Sequence, residues 1–221
     1  MAYGFGTRAH GDPVIRSLHP GSWCAKLSRL LWREERAAQV LEFAVSLPLL
    51  VLFVVGIFDF SSAFTLKQKL TNVARDAARA AAADPANDLT QPQALNPASV
   101  ADAFQVVDNY LQANKINDCG ITASATPVGL TWTFTANGNG CPAGGITLII
   151  NRGYYFPPTG ATLPTVSCTS QTVPNTQITI VATCVSIQYT YPWRFGRVAS
   201  IFGTRTLPSA LTAIGVAMNE N

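Results

Sequence analysis

The chain has 221 residues, 48% of them apolar and only 12% charged, enough for one moderate domain plus an anchor. The net charge of +3 lies wholly in the head: residues 1–37 carry six Lys/Arg and three acids, and residues 38–221 carry nine of each. A basic stripe for nucleic acid is excluded, and no nucleic-acid partner is expected.

The head holds His10, His19 and Cys24 and ends in Arg33-Glu34-Glu35-Arg36. Behind it stands Glu42, a lone carboxylate at the start of the uncharged run Phe43–Phe58. A charge at mid-bilayer costs roughly 3 kcal/mol or more, so an acid at this position is a functional candidate by default. Near a helix end the carboxylate reaches the interface and the cost falls. Extended through Asp59 to Phe64, the run has 22 residues, enough to cross a ~30 Å hydrocarbon core. Phe43, Pro48 and Phe58 fall within this transmembrane segment, and membrane helices tolerate a proline such as Pro48. Ser61-Ser62-Ala63 also resembles a signal-peptidase site, but Glu42, Asp59 and the long head oppose that reading.

Beyond the span, Ala63, Leu66, Leu70, Val73, Ala77 and Ala80 recur at three- and four-residue steps and predict a continuing helix. From Leu41 to Ala83 that helix would measure ~65 Å at 1.5 Å per residue. Its small-residue stripe suits either a neighbouring helix or this chain's own sheet. Asp84-Pro85 ends it. A Pro/Asn/Gln-rich loop follows, then a second helix with Asn96 as N-cap, Pro97 in its first turn and Val100, Ala103, Phe104, Val107 and Leu111 on its apolar face.

After Asn117 the pattern turns to strands. They are expected at Ile121–Thr126, Leu130–Ala136, Ile146–Ile150, Gln177–Thr183 and Val185–Tyr191, with Thr206–Met218 closing the set, interrupted by Gly215. Asn137-Gly138-Asn139-Gly140 marks a turn. The fold class is therefore α+β: a long N-terminal membrane-spanning helical spine, a second helix and an antiparallel β-sheet domain. The organisation reads as a basic cytoplasmic leader over 1–37, a transmembrane helix over 38–64, an exported helical region with a loop over 65–117 and an exported β-rich domain over 118–221.

Cys119, Cys141, Cys168 and Cys184 all lie past the span. Four cysteines allow three pairings. Sequence proximity favours Cys119 with Cys141 and Cys168 with Cys184, each stabilising by ~3 kcal/mol in the chain-entropy model. Zinc is disfavoured because the sequence has no CxxC pair and both histidines lie in the head. Disulfides place the C-terminal part in an oxidising compartment and orient the head toward the cytoplasm. Five aspartates from Asp84 to Asp118 precede a basic set of Arg152, Arg194, Arg197 and Arg205. Ordinary surface variation is the favoured account, with complementary charge between stacked subunits as the alternative.

No histidine follows the head, so Ser-His-Asp and Cys-His centres are excluded from the exported part, and neither metal, cofactor nor catalytic residue is expected. The aromatic runs Tyr154–Pro158 and Tyr191–Phe195 suit sheet core or membrane-interface packing better than a contact patch.

The stretch Arg36-Ala37-Ala38-Gln39-Val40-Leu41-Glu42-Phe43-Ala44, then Leu47-Pro48-Leu49-Leu50, resembles the TadE-like family, pseudopilins or minor pilins of bacterial tight-adherence (Flp, type IVc) pilus systems. Gly56-Ile57-Phe58-Asp59-Phe60 and Ala74-Arg75-Asp76-Ala77-Ala78-Arg79-Ala80 extend the likeness over residues 36–83, and Leu211-Thr212-Ala213 to Glu220 resembles the closing strand. The resemblance implies cleavage by a prepilin peptidase after a small residue, usually glycine, five positions before the glutamate. That position is Ala37, and the new N-terminus would be Ala38. Glu42, one turn on, would neutralise the freed amine of a neighbouring subunit and set register. Asp59 would be a second register element or, preferably, the outer boundary of the span. The implied partners are membrane lipid, the prepilin peptidase, other pilins and pilus-assembly proteins, and a second copy of the chain. The implied location is the bacterial inner membrane, with the C-terminal domain periplasmic and associated with the pilus. The alternatives are an uncleaved, single-span envelope binding protein and an exported enzyme cut near Ala63.

Overall fold

A computed structural model describes residues 21–85, 89, 96–155, 168, 181–194 and 208–220, with side chains from Ala38 onward and Tyr155 by its backbone alone. The chain divides into two compact units, Met1–Phe53 and Val54–Asn221.

Helix α1 runs Gly21–Ala83 and passes through Pro48 without a break. It starts well before the expected Leu41, because Lys, Leu, Arg, Glu and Ala dominate the stretch before the span and all propagate helix well. From Ala38 to Ala83 it is long and apolar enough to cross a membrane. In the first unit every side chain from Ala38 to Val51 is exposed.

The second unit is built on a sheet of order β1-β2-β3-β4-β5, antiparallel throughout. Its strands are β1 (Thr126–Val128), β2 (Thr131–Ala136), β3 (Ile146–Tyr155), β4 (Val181–Thr190) and β5 (Ala210–Met218). Together with α1 and helix α2 (Ala98–Ala113), they give the expected α+β class. Three rows cross the sheet on one face: Trp132, Ile150, Val185 and Gly215; Phe134, Leu148, Ile187 and Ala213; Ala136, Ile146, Tyr189 and Leu211. These rows form one core with Leu70, Val73, Ala74, Ala77, Ala78 and Ala81 of α1 and Val100, Ala103, Phe104, Val107 and Leu111 of α2. The period-2 and period-3.6 apolar patterns meet there.

Gly215 explains why alanines line this part of α1. A Cβ on Gly215 would overlap the backbone of Ala74 and Arg75, so helix and strand approach to main-chain distance. Gly215 does not interrupt β5, which pairs continuously from Ala210 to Met218. The stripe thus packs on the chain's own sheet, with Leu66 and Ala80 at its half-buried margin.

Several element boundaries differ from expectation. Ile121 to Ala125 form no strand; Ile121 is buried, and only Thr126 of that stretch joins the sheet. Thr-rich sequence alone does not make a strand without a partner edge. Strand β3 runs on to Tyr155, and β4 passes through Cys184 as one strand. Pro97, not Asn96, caps α2: its carbonyl accepts from the Val100 and Ala101 amides. Asn96 instead turns its side-chain amide to the Ala123 carbonyl. The turn at Asn137–Gly140 forms as expected, with Asn139 at φ 51° and Gly140 at φ 73°. The 86–95 loop apart from Leu89, the run 156–158, residues 177–180, Thr206 and Leu207, and Arg197 and Arg205 lie outside the described residues.

The cysteines pair as proximity suggested. Cys119–Cys141 and Cys168–Cys184 have Cα separations of 5.2 and 5.5 Å. The second lies on the sheet face opposite the helices, beside Tyr154 and Ala182.

Candidate functional site

The sequence candidates fall into groups that are best taken separately. In the first unit, Ala37, Ala38 and Glu42 all lie within α1. Ala38 and Glu42 are one helical turn apart and exposed, so they can share one face. Phe43 is 64% exposed, and Val45, Leu47, Leu49 and Leu50 follow it uncovered by protein. Pro48 lies inside the helix. Thus Glu42 sits at the head of an exposed surface that is apolar but for Ser46, whose hydroxyl donates to the Phe43 carbonyl.

In the second unit Ile57, Phe58, Phe60 and Phe64 are exposed, and Asp59 lies among them on the helix. Asp59 is only 4% exposed. The Tyr191 hydroxyl donates to its Oδ1 at 3.1 Å and lies 3.3 Å from its main-chain carbonyl. Next to this bond, Phe60 meets the Trp193 ring at 5.3 Å, and Tyr191 meets Trp193 edge-on at 4.9 Å. The Trp193 indole N–H donates to the Pro208 carbonyl at 2.7 Å. Burial foremost, and then the hydrogen bond to Asp59 and its charge, raise the Tyr191 pKa above 10.0; Ser62 and Arg194 act the other way. The hydroxyl therefore remains a donor at neutral pH. Tyr and Trp with one apolar and one polar side suit a membrane–water interface. Asp59 is thus a fixed acceptor in an aromatic collar.

Arg152 is the residue that sequence reading misplaced. Expected among the surface cations, it is fully buried. Its guanidinium donates to the Ala81 carbonyl, to the Asp84 carbonyl at 3.1 Å and to Thr183 Oγ1 at 3.0 Å, with Asn219 Oδ1 at 3.4 Å. Thr183 in turn donates to Asn219 at 2.6 Å, and Asn219 donates back to the Arg152 carbonyl at 3.2 Å. The Glu220 amide donates to the Ala82 carbonyl at 2.9 Å. The last carbonyls of a helix lack intrahelical donors and carry partial negative charge, so a guanidinium and an amide there close the end of α1. A register irregularity between Asn151 and Tyr154 leaves Arg152 toward the helices and turns Tyr154 to the opposite face. The available signal was one charge inside an apolar strand, which must be paired when buried.

Residues 37–79 match the family model of TadE-like proteins. No curated protein and no solved structure gives a match. The matched residues include Ala37, Ala38, Glu42 and Asp59 and run into the alanine face that packs on the sheet. By this match, residues 37–79 are similar to TadE-like proteins, and in this chain they are joined to a five-stranded antiparallel sheet.

Proposed function

We propose that the protein is a TadE-like minor pilin or pseudopilin: a single-span, non-catalytic component supporting assembly of a tight-adherence pilus. The observation that carries this reading is the placement of exposed Glu42 at the head of an uncovered apolar helix, within the segment that matches the family. The head over 1–37 would be a cytoplasmic leader. The helix over 38–64 would cross the inner membrane, and residues 65–221 would form the exported part with its two disulfides. Cleavage after Ala37 would free the Ala38 amine, and Glu42 of an adjacent subunit would pair with it. An isolated charge in lipid is costly, so that pairing favours assembly in one register.

N-terminal sequencing and intact mass of membrane-extracted protein test the reading. A chain beginning at Ala38 supports it. One beginning at Met1 favours an uncleaved envelope binding protein, and one beginning near Phe64 means a secreted domain. A Glu42→Ala chain is expected to fold as the native one does while its recovery with sheared pili falls about tenfold, the equivalent of losing one ~1.4 kcal/mol contact. Undiminished recovery would remove Glu42 from the assembly role.

A further inference from the structure

Two adjoining cavities open on the second unit where the apolar run ends. One, of about 310 Å³, is lined by Val55, Phe58, Asp59, Ser62, Tyr191 and Arg194. The other, of about 320 Å³, shares Ser62 and adds Ser61, Thr65, Leu66, Lys69 and Ile116. The first sets the Arg194 cation beside apolar Val55 and Phe58, and the second carries hydroxyls at Ser61, Ser62 and Thr65 and a cation at Lys69, with Leu66 and Ile116 beside it. Among the described residues, no ion pair engages either cation. The one carboxylate in the lining, Asp59, is buried and accepts the Tyr191 hydroxyl.

The hydroxyl geometry narrows the ligand. Ser62 donates its proton to the Phe58 carbonyl at 2.8 Å, and Thr65 donates to the Ser61 carbonyl at 2.9 Å. The Thr65 proton is committed to the helix, so that oxygen is left to accept, whereas the Ser62 hydroxyl also interacts with Tyr191. A ligand for this place therefore combines an acyl chain, a phosphodiester for Arg194 and a hydroxyl donor for Thr65.

We propose that these cavities form an interfacial site for an anionic phospholipid with a hydroxylated headgroup, of the phosphatidylglycerol kind. The acyl chain lies along Val55 and Phe58, Arg194 beside them holds the phosphate, and the headgroup glycerol donates to Thr65 on the side of Lys69, whose charge adds to the attraction. Occupancy fixes the depth of the helix in the bilayer at the Tyr191–Trp193 collar. The site rests on the reading of Phe43–Phe64 as a membrane span, but not on cleavage or on pilus assembly.

The test uses the full chain in mild detergent, offered equimolar phosphatidylglycerol and phosphatidylcholine with the same acyl chains, and read by native mass spectrometry. A cation at a membrane surface contributes about fivefold in affinity for anionic lipid, so two predict a preference of roughly 25-fold. Arg194→Gln is expected to reduce it about fivefold and Arg194→Gln with Lys69→Gln to abolish it, while Arg194→Lys retains it. Thr65→Val should weaken phosphatidylglycerol retention without restoring phosphatidylcholine. Equal retention of both lipids by the native chain, or an unchanged preference in the double variant, overturns the site. Alkaline extraction of native membranes separates the two readings: release of the chain overturns both the span and the site, whereas membrane-held chain without lipid preference overturns the site alone.

Discussion

Two stretches of α1 differ in what covers them. From Val40 to Phe60 the large side chains, Leu, Val, Ile and Phe, are exposed except for half-buried Leu52, with Phe58 at 70%. From Ala63 to Ala82 the buried residues are mostly alanine, with Leu70 and Val73. Bulky residues left uncovered need apolar surroundings that the described protein does not supply. Small residues lose little by burial individually, but they let backbones approach closely, as Gly215 does against Ala74. One stretch is shaped for lipid or a neighbouring helix and the other for the chain's own sheet.

Substitutions can sharpen this contrast. The largest effect is expected for Gly215→Val, whose added carbons would meet the backbone of Ala74 and Arg75; a loss of more than ~3 kcal/mol should appear as collapse of the thermal transition and of protease resistance. Arg152→Met comes next, at about 3 kcal/mol, because it leaves the Ala81 and Asp84 carbonyls without the guanidinium. Hydrogen exchange should then rise first in the last turn of α1. If stability is unchanged, the cap contributes nothing net.

Tyr191→Phe should cost about 1 kcal/mol at neutral pH by removing the hydrogen bond to Asp59. Its pH dependence is also diagnostic. Burial first raises the pKa of both Tyr189 and Tyr191 above 10.0, so the unfolded chain releases these protons before the folded one. Their contribution is complete below about pH 10 and declines above it. Denaturant titrations across that range should show a shallower decline for Tyr191→Phe. The smallest effect is expected for Leu50→Ala, within ~0.5 kcal/mol of the native value in detergent, since no core contact is lost. A large destabilisation there would break the contrast.

Much of this architecture was legible in the residues. Uncharged sequence from Phe43 to Phe58 specified an apolar helix, and the turn residues after Ala136 specified where a strand ends. The two disulfide pairings followed from proximity along the chain. Local signals suffice in these cases because composition, turn chemistry and short loop closure act over a few residues.

The buried role of Arg152, the bond from Tyr191 to Asp59 and the meaning of Gly215 depended on partners 71, 132 and about 140 positions away. An arginine in an apolar strand reads as a surface cation until a helix end arrives to accept its protons. An aspartate at the edge of a span reads as a boundary until a hydroxyl is brought to it. The sequence by itself determined which segments are apolar, where they turn and which cysteines are near. Only the tertiary structure decided which polar groups are satisfied by one another, because burial gives hydrogen bonds their energetic weight and the partners come from distant parts of the chain.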